Sequence, residues 1–253
     1  MKIASIAWVT LREALRQKLA VNLLVFALLL TSASIILSSL TFGEQYRIIS
    51  DLALTSAQVF GTLIAVFLGA GLVAGDVQRR TVYPIIAKPV GRAEYLVGRY
   101  LGLVLTLELN LAVMAVATGV VLAIYTGGLG FLARAPLAAA YLGAGLQFAV
   151  VGAVAIAFSS LTNVTLAAMF TLALTFAGHF SREMFVYWQH ESSPVRALAY
   201  VLPNLAGLDF KVEFVYQQAV GGARLAWAAL YALLYVAVVL ALACAGFARR
   251  DFR

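Results

Sequence analysis

Between Leu19 and Leu40 the chain carries no charged residue for 22 positions, and between Leu52 and Gly75 none for 24. Ala135 to Ser181 is free of Asp, Glu, Lys and Arg for 47 residues, and Leu225 to Phe247 forms one more uncharged run. About 20 apolar residues in a helix cross the ~30 Å hydrocarbon core of a bilayer. These runs therefore predict membrane spans. Composition agrees, since only 11% of residues are charged and 63% are hydrophobic, against about 25% charged in soluble domains. The expected class is an all-α integral membrane protein. A net charge of +7 does not point to nucleic acid here, because the cations fall in short loops between spans, where they set topology.

The runs and their interruptions predict six transmembrane helices, at about 19–40, 55–75, 101–125, 136–158, 164–180 and 225–247. The 47-residue run is too long for one span and divides at Ser159-Ser160-Leu161-Thr162-Asn163. Residues 2–18 read as an amphipathic in-plane helix. Ile3, Ile6, Ala7, Leu11 and Leu15 share one face, Trp8 is an interfacial anchor, and Lys2, Ser5, Arg12, Glu13 and Arg16 lie mostly opposite. The alternative is a plain cytoplasmic start of the first span. No cleavable signal peptide is expected. Thr41 to Ser56 reads as a polar loop, and Gly71 with Gly75 as a small-xxx-small pair for close helix contact. Residues 181–224 read as an extracytoplasmic region with short interfacial or partly re-entrant helices, one of them started by Ser193-Pro194 and stopped before Pro203-Asn204.

Lys and Arg counts orient the spans. With both termini cytoplasmic, 12 cations lie inside and 6 outside, the bias that cytoplasmic loops carry. The segment Asp76 to Tyr100 is then cytoplasmic. It holds Arg79, Arg80, Lys88, Arg92 and Arg99 against Asp76 and Glu94, with Pro84 and Pro89. Its apolar residues Tyr83, Ile85 and Ile86 are unusual for a solvated loop. Ringed by cations, they suit a socket on a partner protein. They suit equally a membrane face with arginines on lipid phosphates.

Catalytic chemistry finds no foothold. There are two histidines, His179 and His190, and one cysteine, Cys244. No metal-ligand spacing, paired-carboxylate pattern or intrachain disulfide follows from these. No glycine precedes a lysine, so the phosphate loop that cradles a nucleotide is missing. Any ATP and Mg would be bound by a different chain. Glu108 is the one acidic residue inside a predicted span, with Asn110 two positions on. A charge near the bilayer centre costs about 2.5–3.5 kcal/mol on insertion scales. Glu108 should therefore face a protein interior, a cavity or a partner. It is either an intramembrane polar site or one side of an interhelical hydrogen bond. Asn110 is too close in sequence to share its face.

The residues Gly75-Asp76, Arg80-Thr81, Lys88-Pro89-Val90, Arg92, Tyr95-Leu96 and Gly98-Arg99 form a pattern that resembles the membrane subunits of ABC-2-type ABC transporters. The nearest subgroup is the permeases of multicopper-enzyme maturation, including the one used for nitrous oxide reductase. The likeness extends over most of the chain, to Gly43–Leu54, Pro203–Leu205 and Arg249–Asp251. Asp76 departs from the pattern, where the family more often has Glu.

The resemblance implies a cytoplasmic coupling helix between spans 2 and 3 that docks into an ATPase subunit. Asp76, Arg79, Arg80 and Thr81 would anchor its root, Tyr83, Ile85 and Ile86 would insert in the partner, and Lys88, Pro89 and Arg92 would fix the turn. It implies a second permease chain as homodimer partner, Pro203 and Asn204 as extracytoplasmic gate candidates, and a bacterial inner membrane location. The chain itself would not be an enzyme. Scarce intramembrane charge favours a lipid-like or hydrophobic substrate, or force transmission to an extracytoplasmic accessory protein without bulk transport. An ATP-independent channel or membrane enzyme is the rival of another class.

Overall fold

The computed structural model describes residues 2–39, 44–78, 91–128, 137–181 and 202–248. All regular structure among them is helical: α1 Lys2–Leu15, α2 Lys18–Ser39, α3 Gln45–Gln78, α4 Arg92–Thr126, α5 Leu137–Leu161, α6 Val164–His179, a 3-10 turn Ala206–Leu208, α7 Lys211–Val215 and α8 Gly222–Ala248. Five of these, α2, α3, α4, α5 and α8, are long and apolar enough to cross a membrane. The fold is an all-α, membrane-type bundle. α6 has only 16 residues, about 24 Å of helix.

Burial ranks the helices. The apolar windows of α5 and α3 are 72% and 61% buried, those of α2 and α8 only 22% and 17%. α3 and α5 are thus the centre, with α2 against α3, α8 against α5, and α4 packed on both central helices. The interfaces rely on glycine. A Cβ at Gly61 would lie 2.1 Å from the Phe148 ring, and one at Gly69 2.5 Å from the Ala155 Cβ. Ser159 locks the same pair of helices. Its hydroxyl donates to the Ala70 carbonyl (2.7 Å) and accepts from the Ala74 N–H (2.8 Å), the two ends of one turn of α3.

The structure revises several expectations. α3 starts at Gln45, so most of the stretch expected as a polar loop to Ser56 is helix. Glu44, Arg47 and Asp51 stand three and four residues apart, one face of a helix that outruns the hydrocarbon. At 34 residues it is about 51 Å long. Ser159 and Ser160 lie inside α5; the turn to α6 is Thr162-Asn163, with the Asn163 side chain accepting from the Leu166 N–H (2.9 Å). Gly71 and Gly75 have nothing within 4 Å of a Cβ, so they are not the close-contact pair among the described residues. That role falls to Gly98 and Gly102. A Cβ at Gly98 would lie 2.8 Å from Ile6 Cβ, and one at Gly102 would lie 2.6 Å from the Ala7 carbonyl oxygen.

Those two glycines seat α1 on the start of α4. α1 turns Ile3, Ile6, Ala7, Thr10 and Ala14 toward the protein, with Ala7, Thr10 and Ala14 buried. Leu15, expected on the same apolar face, is exposed, and so is Trp8. The helix has a protein-facing strip of small residues and a separate apolar flank carrying Trp8.

Candidate functional site

α3 ends at Gln78 and α4 begins at Arg92. Arg79, Arg80, Thr81, Tyr83, Ile85, Ile86, Lys88 and Pro89 lie outside the described residues. The two ends that hold this segment are described, and they meet. Asp76, in the last turn of α3, has a side chain only 13% exposed. Its carboxylate accepts from the Tyr95 hydroxyl at 2.5 Å and pairs with the Arg99 guanidinium. Arg99 also donates to Glu13 (2.7 Å) and to the Thr10 hydroxyl (3.3 Å), both on α1. It lies over the Tyr95 ring at 5.6 Å, as the i, i+4 spacing of 95 and 99 on a helix allows. One buried guanidinium thus ties three helices: α1, the end of α3 and the start of α4.

The start of α4 is fixed independently. The Glu94 carboxylate accepts from the Gly91 N–H at 3.0 Å. Arg92 donates to the Ala248 carbonyl at 2.8 Å. A cation on the last carbonyls of α8 satisfies orphan acceptors and complements the helix dipole. Tyr95 stacks on Phe247 with ring centroids 6.3 Å apart. The root of the 79–90 segment therefore touches α8 as well.

Glu108 and Asn110 do not meet. Asn110 is buried and its amide donates to the Thr106 carbonyl of its own helix (2.8 Å). Glu108 is on the exposed face of α4, beside Leu105 and Leu109, which are about half exposed. Its carboxylate rests over Gly145 of α5, where a Cβ would lie 2.7 Å from both oxygens.

Pro203 and Asn204 open a non-helical stretch that enters the bundle. Leu205, Leu208 and Phe210 are fully buried. Irregular backbone buried inside a bundle needs partners for its N–H and C=O groups, and side chains supply several. Gln147 donates to the Leu205 carbonyl (2.9 Å), and the Tyr231 hydroxyl accepts from the Asn204 N–H (2.7 Å). The Asn204 side chain caps the Gly207 N–H (2.9 Å), and the Gly178 carbonyl accepts from Leu205 N–H (3.2 Å). Replacing Gln147 with leucine should cost about 1 kcal/mol, the net worth of one intramolecular hydrogen bond. The Leu205 carbonyl would keep the Leu208 N–H (3.1 Å), and the Gln147 Oε1, which has no partner among the described residues, would go as well. Thermal unfolding in detergent measures it.

At the end of the bundle away from Asp76, an open groove of about 570 Å³ runs between α3 and α7, lined by Arg47, Asp51, Leu52, Lys211, Val212 and Tyr216. Its charges pair with one another. Lys211 bonds Asp51 at 2.9 Å and Arg47 bonds Glu44 at 2.5 Å. Gln58 reaches Asp209 at 2.9 Å. Exposed pairs of this kind contribute about 0–1 kcal/mol each, so they shape the surface more than they stabilise it. Among the described residues no group of three or more His, Cys, Asp or Glu is placed to hold a metal.

Sequence reasoning placed Asp76 at the root of the segment and missed the side chains that hold it, namely Arg99, Tyr95, Glu13 and Thr10. Glu13 read as a solvent-facing residue. Only the family-like pattern marks Tyr95, and Arg99 otherwise reads as one cation of the segment. No family model matches the chain, and no curated protein matches it.

Proposed function

We propose that the chain is the transmembrane subunit of an ATP-driven ABC transporter of the ABC-2 type. In this reading two copies of the chain work with two separate ATPase subunits in a bacterial inner membrane. The chain is not itself an enzyme. Both termini are cytoplasmic, and α6 is a short sixth span. Residues 79–90 carry the coupling helix, and its apolar plug at Tyr83, Ile85 and Ile86 fits the ATPase. Export of a hydrophobic or lipid-like substrate is the activity.

The observation that carries this reading is the Asp76–Tyr95–Arg99–Glu13 cluster. A push on the segment between α3 and α4 would act on a root that is already bonded to α1 and lies against α8. Such a root moves several helices together, where a passive loop would move none. The missing phosphate loop assigns ATP to another chain.

The test is purification of the tagged chain from its native membrane in mild detergent. A phosphate-loop ATPase should come with it, and the complex should hydrolyse ATP. The double variant Ile85→Asp, Ile86→Asp should insert normally. It should lose about 2 kcal/mol or more of association, roughly 30-fold in affinity. A chain that purifies without ATP hydrolysis, or a double variant that keeps its ATPase, refutes the proposal.

The groove between α3 and α7 favours a second reading, in which ATP-driven motion passes to an extracytoplasmic protein seated there, without bulk transport. Polar residues around a shared cavity would favour transport. A tight apolar seam between copies would favour transmission.

A further inference from the structure

Glu108 has a role still to be assigned. It lies 16 residues beyond Arg92, the first residue of α4, and 18 before its last, Thr126, so it stands near the middle of a membrane-type helix. The exposed side of α4 is otherwise apolar: Leu101, Leu105, Leu109, Val113, Val116, Val120 and Ile124. Among the described residues no donor hydrogen-bonds to the Glu108 carboxylate and no cation pairs with it.

The seat is shaped for the carboxylate. Gly145 on α5 lets the carboxylate lie this close, since a Cβ there would fall 2.7 Å from both Glu108 oxygens and displace them. The carboxylate is thus tucked against α5 while its outer side stays open between Leu105 and Leu109. A second copy of the chain cannot complete it with a charge. The uncharged runs 19–40, 52–75, 135–181 and 225–247 hold no Lys or Arg, and neither does 101–125. Ionised carboxylates at this depth are costly unless a counter-charge or water meets them. What fits an isolated anion set in an apolar stripe is a cation that brings its own apolar body.

We propose that this face of α4 binds the head group of a lipophilic organic cation, an amine or quaternary ammonium that reaches Glu108 through the bilayer. The ammonium lies on the carboxylate above Gly145, and the apolar body lies along Leu105 and Leu109. Protons compete for the same oxygens, so binding weakens as the pH falls. The inference rests on the bilayer placement of α4 and not on ATPase docking.

The experiment uses the full chain in phosphatidylcholine nanodiscs, whose neutral surface does not concentrate cations. The probes are tetraphenylphosphonium and dodecyltrimethylammonium, followed by equilibrium binding without any ATPase. Saturable binding that falls with pH is expected. Glu108→Gln keeps the shape and should weaken binding at least roughly 30-fold, as loss of a desolvated charge partner does. Glu108→Asp should retain measurable binding. Gly145→Ala should weaken it by moving the carboxylate. Equal melting temperatures for wild type and Glu108→Gln verify the fold.

Three results overturn the site: no saturable binding by the wild type, equal affinity in Glu108→Gln, or affinity independent of pH. Efficient disulfide dimerisation of Leu109→Cys in a Cys244→Ser background, together with absent probe binding, would assign this face to a second copy instead. Failure of this test leaves ATPase co-purification untouched, and the reverse holds as well.

Discussion

Replacing Arg99 with methionine should destabilise the protein by about 3–5 kcal/mol, the usual cost of removing one partner of a buried ion pair. Methionine fills much of the volume, so packing loss is small and the charge dominates. The Asp76 carboxylate, 13% exposed, would lose its guanidinium partner and keep the Tyr95 hydroxyl. Glu13 would lose its link to α4, although at 44% exposed it can turn to water at little cost. α1 should loosen, because its polar link to the start of α4 is gone and packing on Gly98 and Gly102 must hold it. Two measurements check this. The melting temperature in detergent should fall sharply, and a cysteine at Ile6 should label faster with a maleimide. Asp76→Asn combined with Arg99→Met should recover much of the loss, because the half of the ion pair left behind by Arg99→Met is then neutral as well. Strict additivity, or a loss below about 1 kcal/mol, would show that the cluster is ornamental.

The other large effect is expected at the opposite end of the bundle. Gly143→Val should expel the buried stretch that follows Pro203. A Cβ at position 143 would lie 2.4 Å from the Phe210 ring and 2.5 Å from the Leu208 carbonyl oxygen. A ring can turn away, but a main-chain carbonyl fixed in a 3-10 turn cannot. Overpacking alone costs about 1–3 kcal/mol. Displacement adds the loss of burial at Leu205, Leu208 and Phe210, each worth roughly 1.5–3 kcal/mol when fully buried. A cysteine at Leu205, in a Cys244→Ser background, should be protected in the parent and labelled in Gly143→Val. Equal protection in both would mean that the stretch is held from elsewhere.

Both predictions concern contacts that local pattern could not supply. The charges at 44, 47 and 51 interrupt an apolar run, so they read as a loop. They are also a helix face, and whether a helix continues past the hydrocarbon depends on what it meets there. In the structure it meets Lys211 and Asp209, far along the chain. Gly71-Gly75 and Gly98-Gly102 are the same motif in sequence. Only the position of α1 makes the second pair a contact and leaves the first open. Glu13 has the spacing of a solvent-facing residue on an amphipathic helix. It becomes a bridge because Arg99 rises from another helix to meet it.

The sequence by itself determined the class and the presence of the long apolar helices, though not where they begin, because apolar runs of span length have one stable backbone in hydrocarbon. It also determined that Glu108 is the one acidic residue within a long apolar run and that a basic segment follows Asp76. Tertiary structure alone decided which helices are central, which glycines are pressed against a neighbour, and which charges neutralise each other. Those outcomes depend on pairings between residues far apart in the chain, such as Asp76 with Arg99 and Gly143 with Phe210. Periodicity gives the face a residue occupies; the partner on that face exists only once the helices have assembled.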